Sequence, residues 1–260
     1  MKNAILFSQE ELLYLLRTLS LPDLPGMGEK PWGHIPQEQA LLVMETVGRG
    51  LVAREVIKFG DSSMILDENI SRLLKTCAGP RQMLVMNYRV GNEVKSYNFF
   101  RGEAFDVEHD LPYPWVHRFQ TIATSDMGQA LLQSLLKNAP DCSDSAVFEI
   151  AQTDLNEVQQ NAANDLTQAA QLLQLKGLPD DEAGHLAHAF ASPTLKILVM
   201  AFWQMNPEAQ GSVFSVLADN QSGWLIRTDN PGDAMTQVAQ VNMNKLQELM
   251  ISVFQKFEPR

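Results

Sequence analysis

The chain has 260 residues, of which 45% are hydrophobic, and its formal net charge is −11. This length allows one large domain or two small ones, and the composition suffices for a buried core. The negative charge disfavours binding to nucleic-acid phosphates and to anionic lipid surfaces. Most of it lies in residues 141–260, which hold 6 Lys and Arg against 15 Asp and Glu.

Three features predict a cytoplasmic protein. The only cysteines are Cys77 and Cys142, which fits a reducing compartment better than a disulfide framework. The longest unbroken apolar run, residues 197–203, is far too short to span a membrane. The apolar stretch at the N-terminus is also too short for a signal peptide.

The chain begins with the pattern of a strand followed by a capped helix. Residues 5–7 are apolar and predict a short strand. Ser8, with Glu11 three residues later, is the capping-box pattern that begins a helix. Leucines recur at helical spacing over residues 12–19, so we expect this helix to bury one face.

The next segment predicts a loop and two more helices. Residues 21–36 are rich in proline and glycine and predict the loop. The helix after it is expected to end at Gly50, whereas residues 52–60 fit either a strand or a helix end. Asp67 is placed to cap a third helix, which Pro80 ends.

The middle of the chain changes to β-type patterning. Residues 82–110 contain β-branched and aromatic residues between glycine-containing turn signals, which predicts a β-meander. Residues 111–119 are predicted to be irregular because they contain two prolines. A helix capped by Ser125 is expected over residues 125–139.

The second half of the chain predicts a similar order of elements. A strand over residues 146–152 precedes a long helix, or two helices in series, over residues 154–177. A further helix has Pro179 in its first turn and ends at Pro193. The remaining predicted elements are strands at residues 195–205, 212–219 and 223–228 and a closing helix at residues 233–257.

The similarity between the halves predicts an internal duplication. The segment AGPRQMLVMNYRV at residues 78–90 resembles ASPTLKILVMAFW at residues 191–203, and each follows a helix that opens on an aspartate. The main difference is an insertion at residues 52–66, which only the first half has.

The duplication predicts an α+β fold with a pseudo-twofold axis and a central, mainly antiparallel sheet flanked by helices. We expect a single domain, residues 1–260, made of two similar halves at residues 1–140 and 141–260.

Two groups of residues carry the alternative prediction of a metal-dependent or pocket enzyme. His185 and His188 stand three apart on a predicted helix, which is a spacing that can present two imidazoles to a metal. No third ligand is identified, so an exposed polar helix face explains them as well. Residues 107–119 combine acids, histidines and aromatics that are suited to a pocket, or else to a loop held at the edge of the core.

Catalytic and cofactor motifs are absent from the sequence. It contains no nucleophile elbow, phosphate-binding loop, dinucleotide-binding glycine pattern or Cys-x-x-Cys pair, and no catalytic, metal-binding or cofactor-binding residue is assigned. The predicted β-meander instead has more aromatic residues than a small sheet needs. The predicted partner-binding residues are Tyr97, Phe99, Phe100 and Phe105, with the alternative that alternate aromatics face the core.

Four segments, together with the order of the predicted elements, carry a resemblance to a known family: residues 21–28 (LPDLPGMG), 48–51 (GRGL), 176–193 (KGLPDDEAGHLAHAFASP) and 223–226 (GWLI). In its overall organisation the chain resembles the EspG chaperones of type VII (ESX) secretion. The resemblance implies a central antiparallel sheet flanked by helices. It further implies a cytosolic chaperone that binds the helical tip of a PE–PPE pair, without catalysis and without a cofactor. The composition, rich in Gln and Asn, departs from that of usual members.

The first functional hypothesis is therefore a non-catalytic cytoplasmic module that binds a protein. Its specific form, which the resemblance implies, is an EspG-like chaperone that captures an apolar helix end of a secreted substrate. The second is the enzyme that uses His185, His188 and residues 107–119. The third is a structural or toxin-neutralising protein whose acidic second half attracts a basic partner.

Overall fold

The structure is a computed structural model. It describes residues 4–25, 27, 36–60, 64–122, 129–136, 145, 147–204, 210–228, 234–242 and 248. Several sequence predictions lie outside these residues, namely those for Cys142, for the Ser125 cap and for most of the glycine-rich loop.

The first half of the chain contains a strand, three helices with a small hairpin between the second and third, and then four strands and a helix. In order these are β1 (Ile5–Ser8), α1 (Gln9–Thr18), α2 (Gln37–Ala53), β2 (Ile57–Phe59), β3 (Met64–Leu66), α3 (Glu68–Ala78), β4 (Gln82–Val90), β5 (Glu93–Arg101), β6 (Asp106–Tyr113), β7 (Val116–Ile122) and α4 (Gln129–Leu136).

The described part of the second half repeats the strand, the three helices and the four strands, without the small hairpin. Its elements are β8 (Phe148–Ala151), α5 (Gln152–Ala162), α6 (Leu166–Leu175), α7 (Asp180–Ala191), β9 (Leu195–Gln204), β10 (Gln210–Ala218), β11 (Gly223–Thr228) and β12 (Met235–Gln240). The hairpin that interrupts the match, β2–β3, lies in the segment that the sequence marked as an insertion. We retain the division into two similar halves of one domain as a proposal.

The predicted fold class, α+β with a large antiparallel sheet, is confirmed. Ten strands of the described residues follow the order β1-β7-β6-β5-β4-β9-β10-β11-β12-β8, and β2 pairs with β3 in a separate sheet. The two halves of this strand order have the same form. Strand β1 lies beside β7, the last of the four strands that follow α3, and β8 lies beside β12, the last of the four that follow α7.

The chain divides into two compact units. The first comprises Met1–Met83 and Tyr97–Thr124, and the second comprises Leu84–Ser96 and Ser125–Arg260. In the first unit, α1 contacts β1, β7 and α2, and α3 contacts β6. The leucines predicted to line one face of α1 are buried. The capping box is present, because Ser8 Oγ accepts from the Glu11 amide and Glu11 Oε2 accepts from the Ser8 amide.

The second unit has a core in which α5, α6 and α7 contact one another and α7 contacts β10 and β11. Leu155, Leu173, Leu186 and Trp224 are fully buried in this core. The long helical pattern is two helices in series. Helix α6 ends at Leu175 and is followed by Gly177, whose φ of +103° is favourable only for glycine.

Three predicted elements are wrong in detail. Helix α2 continues past Gly50 to Ala53, because Leu51 is fully buried and keeps the last turn packed. Residues 111–119 are mostly strand: β6 tolerates Pro112 where its register with β7 is irregular, and Trp115 turns the chain at a φ of +64°. Part of the predicted closing helix is β12, which pairs with β11 and β8, and residues 243–247 and 249–257 lie outside the described residues.

A glycine in β10 gives a stability prediction. Gly211 stands where the register between β9 and β10 shifts, and a Cβ there would collide with the Ala201 carbonyl oxygen. We expect Gly211→Ala to lower the free energy of unfolding by about 2 kcal/mol, measured by urea denaturation. The matched control is Gly184→Ala in α7, where nothing lies near the added methyl group. This control should stabilise by about 0.5–1 kcal/mol, and equal destabilisation by both would contradict the argument.

Candidate functional site

The four aromatic residues predicted to bind a partner lie in different environments. Phe99 and Phe100 are 1% and 0% exposed, so both are core residues although they point to opposite faces of β5. Tyr97 and Phe105 are half-buried. Tyr97 stacks on Phe99, and Phe105 supports a guanidinium group, that of Arg72. Contact with a partner therefore remains a prediction for Tyr97 and Phe105 alone.

The two helical histidines of the enzyme hypothesis are exposed on α7. His188 Nδ1 lies 2.7 Å from Asp219 Oδ2, and His185 has no partner in the described part of the chain. Among the described residues, no group of three or more His, Cys, Asp or Glu side chains is arranged to hold a metal ion. The described geometry thus supplies no third ligand for the site.

The other part of that hypothesis, residues 107–119, forms the β6–β7 hairpin. Its histidines do not line a surface pocket, because His109 and His117 are both fully buried in the first unit. Trp115 at the turn is exposed, so it does not hold the segment at the core edge as the alternative reading expected, whereas Phe119 is buried.

The buried histidines form a hydrogen-bonded chain with Asn98. Asn98 Nδ2 lies 3.1 Å from His109 Nδ1, and His109 Nε2 lies 2.8 Å from His117 Nδ1. Because an amide nitrogen only donates, His109 must donate from Nε2, and His117 must carry its proton on Nε2. That last nitrogen is buried and has no partner among the described atoms.

Both imidazoles are held neutral by this environment. Burial, followed by the proximity of His117, lowers the pKa of His109 to about 3. Burial also lowers the pKa of His117, an effect that Glu10 partly opposes. The two rings are stacked on each other and buried in the core, where the unpartnered N–H of His117 costs stability.

The feature of the first unit best suited to binding is an exposed apolar surface on α2 and the β2–β3 hairpin. We call it the α2–hairpin surface and define it by Leu41, Phe59 and Met64, which are exposed and line the same groove. Phe59 is 74% exposed and Leu41 is 60% exposed. Large side chains exposed together in this way are typical of a surface that another molecule covers.

A groove of about 440 Å³ runs beside these residues. Tyr14, Met44 and Ile57 line it, together with Phe59 and Met64 of the α2–hairpin surface. Among the described residues, the charged ones that line it are Glu45 and Arg49.

Helices α1 and α2 form the wall of this groove by close approach. Gly48 permits the approach, because a Cβ at this position would lie 3.1 Å from the Tyr14 hydroxyl oxygen. That hydroxyl also lies 3.9 Å from Met64 Sδ, so the ring bridges the two helices and the hairpin. The groove is therefore held by packing among α1, α2 and β3.

Sequence reasoning missed this surface, although a signal for it was present. The segment that only the first half has, residues 52–66, contains two short apolar runs, IKF and MIL, on either side of a polar turn. Such runs with an intervening turn indicate a hairpin. Because this hairpin has no counterpart in the second half, it does not belong to the repeated core. Its apolar side chains are therefore available to a ligand.

Comparison with known proteins identifies the architecture. No protein-family model and no curated protein sequence matches the chain. Among solved structures, the chain is similar to the Mycobacterium tuberculosis type VII secretion system chaperone EspG5, solved in complex with a PE25–PPE41 dimer. The TM-score is 0.67 at 11% sequence identity, and the match covers 99% of this chain and 97% of EspG5. The chain has an EspG-like fold.

The EspG-like organisation read from the sequence is thereby confirmed at the level of the fold. At 11% identity the likeness extends to architecture alone. No helix in the described part of the chain has the length and hydropathy needed to cross a membrane.

Proposed function

We propose that this EspG-like protein is a non-catalytic chaperone that binds another protein in the cytoplasm. The observation that carries the proposal is the α2–hairpin surface, which exposes large apolar side chains beside a groove. The fold likeness to EspG5 supports it, since that chaperone was solved in complex with a PE25–PPE41 dimer.

The proposed ligand is an apolar helix end of a secreted substrate. A groove with an apolar lining and few charges is suited to the apolar face of an amphipathic helix. Covering Phe59 and Leu41 would remove a large apolar area from water and would keep the partner's own apolar face from aggregating. The mechanism is capture and release, and it involves no bond-making step.

The test compares two positions that are equally accessible. A photo-crosslinking amino acid placed at Phe59 is expected to capture a specific protein in the source cell, whereas the same group at Leu175 should not. Leu175 is 81% exposed on α6 of the second unit and lies outside the α2–hairpin surface.

The captured protein then serves as the ligand in a quantitative measurement. Phe59→Asp is expected to weaken its binding at least about 30-fold by calorimetry, because an apolar anchor would be replaced by a charge that must lose its water. Leu175→Asp should leave the affinity unchanged. Equal crosslinking from both positions, or equal affinities of both variants, would refute the assignment of the surface.

A further inference from the structure

A second cleft of the first unit has a composition different from that of the groove. It has a volume of about 640 Å³ and lies beside α3, where Val56, Ile70 and Leu73 provide buried apolar lining. Two arginines, Arg54 and Arg72, also line it. Two carboxylates, those of Glu55 and Asp67, complete the charged part of the described lining, and most of the remaining lining residues are apolar. A cleft that combines apolar lining with a few polar groups is suited to a small ligand.

Three of the charged groups in this cleft are already engaged within the protein. Arg54 donates to both carboxylate oxygens of Glu11, at 2.6 and 2.7 Å, and to the Leu6 carbonyl. Asp67 accepts from the first amides of α3, and Glu55 pairs with Lys58. These groups therefore offer little unsatisfied charge to a ligand.

Arg72 is the exception in the cleft. Its guanidinium carbon lies 5.5 Å from the centroid of the Phe105 ring, which places the cation over the ring face. Among the described residues it has no carboxylate or carbonyl partner. A guanidinium group that rests on an aromatic ring keeps its in-plane N–H donors free, and their fork matches the two oxygens of a carboxylate.

The aromatic platform is fixed by the turn between β5 and β6. The Gly102 amide donates to the Phe105 carbonyl at 3.2 Å. On either side of that turn, the buried Arg101 donates to Asp106 Oδ2 at 3.2 and 3.3 Å. A Cβ on Gly102 would lie 2.8 Å from the Phe105 oxygen and from Thr76, so this close approach requires glycine. The ring under Arg72 is thus preorganised.

We infer that this cleft binds a carboxylate that carries an apolar group, with Arg72 as the bidentate donor and the buried residues of α3 as the apolar floor. An acidic side chain flanked by an apolar residue, or the C-terminal leucine of a peptide, has this chemistry. The inference goes beyond the proposed chaperone function, because it concerns a different cleft and a charged ligand.

The test uses a matched pair of probes, N-acetyl-leucine and its neutral amide. In NMR titrations, N-acetyl-leucine is expected to shift the signals of the Arg72 side chain and of Phe105, saturating in the millimolar range. The amide, which lacks the charge, should bind at least about tenfold more weakly. Equal binding of both probes, or no shift at either residue, would overturn the inference.

Matched variants distinguish a specific contact of the ligand with Arg72 from a general effect of positive charge. Arg72→Gln should weaken N-acetyl-leucine at least about tenfold, to the level of the amide, whereas Lys75→Gln removes the same charge from the last turn of α3 and should have no effect. Phe105→Leu keeps the apolar lining but removes the platform, and it should weaken the carboxylate more than the amide. Equal losses in Arg72→Gln and Lys75→Gln would refute the site without bearing on the α2–hairpin surface.

Discussion

Lowering the pH from 6.5 to 4.5 is expected to reduce the free energy of unfolding by about 2 kcal/mol. The cause is His109, whose pKa is about 3 in the folded protein and about 6.5 in an unfolded chain. Below pH 6.5 the unfolded chain binds a proton that the folded protein excludes, so stability falls as the pH falls. Above pH 6.5 the contribution is constant. His117, whose pKa is also lowered by burial, adds to the loss.

The measurement is a series of urea unfolding curves between pH 4.5 and pH 7.5, with hydrogen exchange of residues 97–122 to localise the change. His109→Gln should reduce the pH slope markedly, since one of the two buried titrating rings is gone, and it should also lower stability at neutral pH. His185→Gln replaces an exposed histidine of the second unit and should leave the slope unchanged. An unaltered slope in His109→Gln would show that acid sensitivity originates elsewhere.

The hydrogen-bonded chain of buried histidines could not be predicted from the sequence, because it depends on the register of three strands. Asn98, His109 and Phe119 meet because β5, β6 and β7 adopt one particular register, in which each of the three stands opposite the next. A shift of one residue would turn all three to the other face. Register depends on the turns and on the whole apolar face of the sheet, so local spacing could not reveal the cluster.

Elements whose ends are marked by local chemistry were predictable. Ser8 with Glu11 fixed the start of α1, and Asp67 fixed the start of α3, where its carboxylate accepts from two amides. Pro80 and Pro193 each separate a helix from the strand that follows it. In these cases the signal and its effect lie within a few residues, and the tertiary structure changes neither.

Elements that depend on distant partners were not predictable. The residues of β12, MTQVAQ, have no strong strand pattern, and they are extended because β11 and β8 pair with them on both sides. The prediction that Phe99 and Phe100 contact a partner was wrong for a similar reason. Alternation would bury one of Phe99 and Phe100, but both faces of β5 are covered at that point, so both are core.

The second large effect is expected from Asp219→Ala, which should lower the free energy of unfolding of the second unit by about 3 kcal/mol at pH 7. The carboxylate of Asp219 is almost fully buried in the turn between β10 and β11. Its Oδ1 accepts from the amides of Gln221 and Ser222, at 2.8 and 2.7 Å, and from the Ser222 hydroxyl. Removing it leaves the buried amide and hydroxyl of Ser222 without this acceptor, which costs more than the bonds themselves contribute. Unfolding curves with hydrogen exchange over residues 180–228 measure the loss.

The contribution of the second oxygen can be separated from that of the turn. Asp219 Oδ2 accepts from His188, but the imidazole is 55% exposed, so His188→Ala should cost no more than about 1 kcal/mol. Asp219→Asn keeps one oxygen for the amides and should lie between the two variants. We expect this order of stability losses because Asp219 is buried, whereas His188 is exposed and can replace its bond to Asp219 by a bond to water. If His188→Ala proved as damaging as Asp219→Ala, the ion pair rather than the turn would hold α7 to the strands, and the buried amides would matter less than their geometry indicates.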